Sequence, residues 1–554
     1  MRLAGAFGVL VTAVVLAGAA QAQSEERELP ALAPAPDDAL TDALESGELT
    51  EAEYALERAQ SLFQLGKVRR EFGDVERAGP RDATLILRDL AVRTRQLTGA
   101  DRAAARRILA RPDAGGVPLG TGNGWSPTAV TAVGCGAHLC VHWVETTSDA
   151  PDGADGNPAT VPPWILLVGP AWEDAWNREI VDRGYRAPLP DDTSANHGVD
   201  GKLDVYVDNL GPSGVFGYCT SDDPNSDSID ILTVSGYCVV DDDFAAAEFG
   251  TAHTPLEFLE VTTAHEFQHA SQFAYDWLED PWLMEATAVN MEEELWPDIS
   301  DDVNFLTFFS PLNRPSSPLD RGGFGDSEYG AWIFFRFLQE KIGALTSPGE
   351  SWTLVREIWE HADASDITQD EFSLQAVKNA LGDHGYSFPD VFAQFGRANR
   401  RLSYADDAVA QYPHVPLSRM WSVGRQSPRA PVRSWKVNHL ATRYFTFTPG
   451  KRLRSHAKLA IRVELPSKGT SFMRVSVMVV GTDNSVAVRV LKSKKGIART
   501  STRFNRGDVK RVDVVLSNGS TRTTCWQSIG PPSYSCFGDP WDDGRVFKLG
   551  AALR

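Results

Sequence analysis

The five residues from His265 to His269, which read His-Glu-Phe-Gln-His, have the spacing of a metal-binding helix. Residues four apart share one face of an α-helix, so His265 and His269 can bind the same ion. Two imidazoles leave room for a third protein ligand and a water, which is the arrangement of a catalytic zinc site. Glu266 follows the first ligand and can take a proton from that water, which becomes the nucleophile. The motif therefore predicts zinc-dependent hydrolysis.

The residues that precede the motif predict the helix on which it must lie. Thr254-Pro255-Leu256-Glu257 is typical of a capping box with proline at the first helical position. Apolar residues then recur at helical spacing through the motif: Leu256, Leu259, Val261, Phe267 and Phe273.

A second helix is predicted to supply the third ligand. Asp280 and Pro281 indicate its start, and Glu285 falls in its first turns. Glu292 lies two turns later on the same face, where it could orient a histidine ligand through the free ring nitrogen. The alternative is that Glu292 is a solvated acid in a run of three glutamates.

His265–His269, taken with the sequence Trp-Leu-Met-Glu-Ala-Thr-Ala at 282–288, resembles the glutamate-zincin (gluzincin) metallopeptidases. More narrowly, the chain is similar to a family of secreted bacterial metalloproteases that is distantly like the hyicolysin-type enzymes. The resemblance extends over roughly residues 132–343 and includes a strand at 202–207 and a Tyr-Gly helix at 329–335.

This resemblance implies that His265, His269 and Glu285 bind zinc and that Glu266 is the acid and base. It also implies that Tyr329 donates a hydrogen bond to the oxyanion. A tyrosine that only packs at a helix start is the alternative. In gluzincins the sheet edge nearest the metal pairs with an extended peptide substrate.

The first residues predict export. Met1-Arg2 precedes an apolar run over residues 3–19 and a small-x-small sequence, so residues 1–22 are interpreted as a signal peptide cleaved near Ala22. No later run is long enough for a transmembrane segment. The expected location is secreted, either extracellular or periplasmic.

Six cysteines agree with an oxidising compartment. They fall into three close pairs, each bracketing a turn-rich loop, which favours sequential disulfides: Cys135 with Cys140, Cys219 with Cys238, and Cys525 with Cys536. Thiol ligation of zinc is the weaker alternative, because no Cys-x-x-Cys occurs.

The length predicts about three domains. Residues 23–113 form a helical pro-region or a permanent helical subdomain, with helices over 52–72 and 83–97. Residues 39–112 contain neither histidine nor cysteine. An inhibitory pro-region would therefore have to act through a carboxylate, a backbone group or steric blocking.

Residues 114–412 are predicted to be the catalytic domain, with an α+β zincin-like fold. Strands are expected at 164–168 and 203–207, with a helix at 172–182. Two further strands, at 229–232 and 237–240, precede the zinc helix. Either of these could bind a peptide by strand addition.

Residues 413–554 read as short strands separated by turns and predict an all-β sandwich domain. This part has 26 lysines and arginines but only seven aspartates and glutamates, in a chain of net charge −20. Its basic surface could contact an anionic cell surface, or it could dock on the acidic core. Nucleic acid is not an expected partner, because no binding motif occurs.

Two acidic stretches could bind a structural calcium ion, namely residues 200–204 and Asp241-Asp242-Asp243. Neither has EF-hand spacing, and solvated turns are the preferred interpretation. Two functions remain open: a secreted zinc endopeptidase acting on a protein or peptide substrate, and a non-catalytic exported zinc protein of the adhesin type.

Overall fold

The computed structural model describes residues 38–79, 81–114, 124–194, 197–198, 201–322, 327–366, 368–405, 411–451, 453–466, 472–525 and 534–554. The predicted signal peptide, residues 1–22, and Asp200 of one predicted calcium site lie outside these ranges. Across the described ranges, none of the helices has both the length and the apolar character that crossing a membrane requires.

Four helices form the N-terminal segment: α1 (Ala39–Ser46), α2 (Glu51–Phe72), α3 (Ala83–Arg93) and α4 (Gly99–Ile108). Thr50 and Glu53 form a capping box that starts α2. The helices expected over 52–72 and 83–97 are confirmed, the second ending in a 3₁₀ turn at Thr94–Gln96. Leu87 and Leu90 of α3 are fully buried in one core with the central sheet. The segment is therefore packed onto the rest of the chain.

The central sheet has five strands: β1 (Thr131–Cys135), β2 (Leu139–Val144), β3 (Leu203–Asp208), β4 (Gly217–Thr220) and β5 (Tyr237–Asp241). Their order is β1-β2-β3-β5-β4. Strands β2, β3 and β5 are parallel, whereas β1 and β4 pair antiparallel with their neighbours. Strand β4 is therefore a short edge strand.

Eleven helices follow or cover this sheet in the described residues: α5 (Ile165–Trp176), α6 (Ala246–Phe249), α7 (Pro255–Phe273), α8 (Pro281–Leu295), α9 (Val303–Leu306), α10 (Ser327–Gly330), α11 (Trp332–Leu338), α12 (Ala344–Thr346), α13 (Thr353–His361), α14 (Leu374–Asp383) and α15 (Phe388–Arg401). Helix α7 packs against β4, β5, α5 and α8. It is the central helix of this part of the chain.

Two strand predictions are wrong. Residues 164–168 belong to the start of α5, where Ile165, Val168 and Trp172 are buried at helical spacing while Leu166 is 61% exposed. Residues 229–232 form no strand, because the Ser228 hydroxyl accepts two backbone N–H groups and turns the chain there. The helix expected at 172–182 is confirmed, since α5 continues as a π-helix over Asn177–Asp182.

The C-terminal part is β-rich, as expected, with twelve strands in its described residues: β6 (Arg419–Val423), β7 (Arg429–Val437), β8 (Ala441–Pro449), β9 (Lys458–Glu464), β10 (Met473–Gly481), β11 (Val486–Leu491), β12 (Ser493–Lys494), β13 (Ile497–Arg503), β14 (Val509–Asn518), β15 (Thr523–Thr524), β16 (Asp539–Pro540) and β17 (Arg545–Leu553). Two five-stranded sheets, β11-β10-β14-β8-β6 and β12-β13-β9-β17-β7, share one apolar core. Strands β15 and β16 form a separate pair.

The first of these sheets packs against the core through α15. Arg400 pairs with Asp513 at 3.1 Å, and Arg474 pairs with Asp390 at 2.5 Å across this junction. The opposite sheet instead carries a groove lined by arginines: Arg429, Arg462, Arg499 and Arg554. Docking on the acidic core therefore does not use these cations, and contact with an anionic cell surface stays a prediction.

All three predicted disulfides are present: Cys135–Cys140, Cys219–Cys238 and Cys525–Cys536. The second joins β4 to β5 next to helix α7. Three disulfides are consistent with an exported protein, because thiols stay reduced in the cytosol.

Candidate metal centre

Two consecutive helices position the site. The Thr254 hydroxyl accepts the backbone N–H of Glu257, whose carboxylate accepts the N–H of Thr254, so α7 starts at a complete capping box. Helix α8 starts at Pro281, but Asp280 does not cap it as expected. The Asp280 carboxylate instead accepts the backbone N–H of Cys536 at 2.7 Å, which ties the start of α8 to the C-terminal part.

The structure brings together the three predicted zinc ligands. Nε2 of His265 lies 3.2 Å from Nε2 of His269 and 3.2 Å from Oε2 of Glu285. Nε2 of His269 lies 3.6 Å from the same carboxylate oxygen. Tetrahedral zinc with ligand distances of about 2.0–2.1 Å requires ligand atoms about 3.3–3.4 Å apart. The observed triangle therefore has the size that zinc requires.

The hydrogen bonds of Gln272 fix the protonation of His269. The amide Nε2 of Gln272 donates to the carbonyl of Met284 at 3.0 Å, so its Oε1 must face His269 Nδ1, 2.7 Å away. Nδ1 therefore carries the proton, and Nε2 presents a lone pair to the triangle.

Glu292 plays the corresponding part for His265. Its Oε1 accepts from His265 Nδ1 at 2.8 Å, so the predicted orienting role agrees with the geometry, and Glu292 is only 2% exposed rather than solvated. When both rings are neutral and carry their proton on Nδ1, His265, His269 and Glu285 face one another with three acceptor atoms and no donor. A cation is the group that satisfies such a buried arrangement.

The pKa values of Glu285 and His265 also indicate a site for a positive charge. Burial alone would raise the pKa of Glu285, but attraction to His269 and hydrogen bonds from both imidazoles lower it to about 2. Burial would lower the pKa of His265, but its hydrogen bonds to Glu285 and Glu292 raise it to about 9. The metal-free site thus holds a proton in place of a positive ion.

Glu266, the predicted base, lies on the same helix as the two histidines. It is fully buried on the helix face next to β4, and its Oε1 has no hydrogen-bond partner among the described residues. A Cβ at Gly217 would come within 2.9 Å of Thr262 and 3.4 Å of the Glu266 side chain, so only glycine lets β4 approach this closely. The base and the edge strand are therefore neighbours.

Tyr329 lies beside the site, with its ring centroid 6.1 Å from that of His265. Its hydroxyl donates to Asp82 at 2.8 Å, a contact that sequence reasoning did not anticipate. The role of Tyr329 as an oxyanion donor stays a prediction for a form in which Asp82 has moved.

The two predicted calcium sites offer fewer free ligand atoms than the zinc triangle does. Asp204 is engaged by Arg111 and His142, so its carboxylate is not free to bind an ion. Asp241, Asp242 and Asp243 bring oxygens within 4.8 Å of one another. The carboxylate of Asp241, however, accepts four backbone N–H groups, and calcium binding stays a prediction.

No family model matches the chain, and no curated protein matches it. Among solved structures, the pre-peptidase C-terminal domain of a Bacillus anthracis collagenase is 9% identical, with 25% of this chain and 97% of that chain covered and a TM-score of 0.15. A family GH115 4-O-methyl-alpha-glucuronidase is 11% identical, with 55% of this chain and 40% of that chain covered and a TM-score of 0.13. Neither TM-score reaches 0.5, so neither likeness bears on fold or function.

Proposed function

We propose that the chain is an exported zinc-dependent peptidase in which His265, His269 and Glu285 hold the metal and Glu266 is the general base. The observation that carries the proposal is the buried triangle of three acceptor atoms, separated by 3.2–3.6 Å. The likeness of its two sequence motifs to those of gluzincins, and the three disulfides, support the same conclusion.

The remaining residues have complementary parts in peptide hydrolysis. When bound, zinc would polarise the scissile carbonyl and bring the pKa of a water toward about 7. Glu266 accepts the proton of the attacking water at its unpartnered Oε1 and delivers it to the leaving amine. Glu292 and Gln272 keep the two imidazole rings in place throughout.

The position of strand β4 favours a peptide as the substrate. Strand β4 is an edge of the central sheet, lies against the helix that carries Glu266, and has the length of a short peptide-binding strand. An extended peptide paired with it would pass its backbone along the base and the metal ligands.

The test is a comparison of the full chain with Glu266→Gln, which removes the base and keeps the side-chain size. We expect one zinc per chain in both proteins by elemental analysis. Once limited trypsin treatment has nicked the N-terminal segment of both, we expect at least a hundredfold lower hydrolysis of a fluorogenic peptide library by the variant. Hydrolysis that survives the substitution contradicts the proposal. Zinc in both proteins with hydrolysis in neither, even after trypsin has nicked the N-terminal segment, favours the non-catalytic zinc protein.

A further inference from the structure

The first turn of α3 lies directly on the proposed base. Thr84 Oγ1 is 2.8 Å from Glu266 Oε2 and 2.9 Å from the backbone nitrogen of Cys219. The backbone N–H can only donate, so the single hydroxyl proton of Thr84 goes to Glu266. One side chain of the N-terminal segment therefore occupies both an oxygen of the base and an amide of strand β4.

That amide is the one an extended peptide would use. Cys219 stands opposite Cys238 in the antiparallel β4–β5 pair, and its N–H points away from the sheet to Thr84. Helix α2 also reaches this strand, since the ring of Phe63 packs on that of Tyr218 with the centroids 6.0 Å apart. The N-terminal segment thus fills the position of a strand-forming substrate.

Two more residues of the segment contact other polar groups of the site. Asp82 accepts the hydroxyl hydrogen of Tyr329 at 2.8 Å. Arg81 donates to Glu292 at 3.2 Å and to Asp301 at 2.7 Å. With the Thr84–Glu266 contact, these contacts join residues that are at least 182 positions apart in sequence.

The metal ligands and the base have almost no contact with solvent. His265, Glu266 and His269 are 0% exposed and Glu285 is 1% exposed. Peptide hydrolysis requires a polypeptide backbone within contact distance of these groups, so the segment must leave before the site can act.

We propose that residues 38–114 are an internal inhibitor, in which Arg81, Asp82 and Thr84 form a latch on the site and hold the enzyme latent until the segment is displaced. The inference rests on the proposed peptidase function. It favours the pro-region over the permanent subdomain, because a permanent subdomain of an active peptidase would have to leave the base and the edge strand accessible.

The latch is tested in the full chain with the double substitution Asp82→Ala and Thr84→Val. The matched control is Thr94→Val, which removes a buried hydroxyl of the same segment whose one hydrogen bond among the described residues goes to the helix carbonyl of Leu90. In the latch variant we expect hydrolysis of the peptide library, and the rate at which dipicolinate extracts zinc, to rise at least tenfold. The backbone amide of Cys219 should also exchange its hydrogen faster, and the control should match the wild-type protein.

A second measurement does not depend on how the variant folds. Trypsin is expected to cleave the wild-type chain at the exposed Arg106 and Arg107 of α4. Loss of the N-terminal fragment should then coincide with a rise in hydrolysis, and the same treatment of Glu266→Gln should give none.

The outcomes separate the two proposals. A folded latch variant with wild-type rates of hydrolysis, zinc extraction and Cys219 exchange overturns the latch. Faster extraction and exchange without hydrolysis, in the variant and in the nicked protein alike, supports the latch and rejects the peptidase function.

Discussion

Gln272 connects His269 to the helix that carries the third ligand. Its carbonyl oxygen lies 2.7 Å from His269 Nδ1, and its amide nitrogen donates to Met284 O at 3.0 Å and Thr287 Oγ1 at 3.1 Å. The orientation of one ligand on α7 is thereby tied to the backbone of α8, one residue before Glu285.

Replacing Gln272 with leucine should weaken zinc binding by about 10–100-fold, because the His269 ring loses the acceptor that holds its tautomer. Competition with a chromophoric chelator measures the affinity. Gln268→Leu is the control, since Gln268 is buried on the same helix and its amide makes no hydrogen bond among the described residues. Equal losses in both variants would mean that only packing on α7 matters.

Zinc affinity should rise with pH up to about 9. The pKa of His265 in the metal-free protein is raised to about 9 by Glu285 and Glu292, so below that pH the metal must displace a proton. We expect up to a tenfold gain in apparent affinity per pH unit between pH 7 and 9, with one proton released on binding in calorimetry. In Glu292→Gln the plateau should begin at lower pH. An affinity that does not change from pH 7 to 9 would contradict this assignment.

Asp320 should stabilise the junction between the core and the C-terminal part. Burial would raise its pKa, but His439, 3.0 Å away, and Ser535 hold that pKa below its usual value. The contribution is therefore present at neutral pH and is lost as pH falls through and below about 4. Asp320→Asn should lower the free energy of unfolding by about 3–5 kcal/mol at pH 7, and by less in acid.

Asp390→Asn is the control for that experiment. Asp390 also joins the two parts, through Arg474, but its side chain is 56% exposed. Its loss should cost no more than about 1 kcal/mol. Thermal unfolding of both variants at pH 7 and pH 3.5 makes the comparison, and a larger effect for Asp390 would refute the importance of the buried pair.

The disulfides should differ in their contribution to stability. Cys219–Cys238 closes a sequence separation of 19 residues and Cys135–Cys140 one of five. Loop-closure entropy gives about 3 and about 2 kcal/mol respectively. Urea denaturation of the two double alanine variants measures both values, and the opposite ranking would show that strain outweighs chain entropy.

Local sequence patterns were enough to predict the two helices and the three metal ligands of the site. A capping box and a proline predicted where α7 and α8 start, and helical spacing then placed His265, His269 and Glu285 on facing surfaces. Gln272 was missed, although it lies three residues after His269 and its face was therefore readable from spacing.

The contacts of the latch could not be predicted from local patterns. Arg81, Asp82 and Thr84 meet their partners only through the packing of the N-terminal segment on β4 and α7, and no periodicity encodes such distant contacts. The wrong strand at 164–168 has another cause. A short apolar run is compatible with either a strand or a buried helix, and tertiary packing decides between them.

The hydroxyl of Thr84 also covers the Cys219 amide at the edge of the central sheet. Bare edge strands attract strands of other molecules, and this pairing is a common route to aggregation. While the N-terminal helices stay in place, β4 cannot pair with a strand of a second copy of the chain. Their departure would expose the unpaired backbone groups of this edge, and a bound peptide would then cover them.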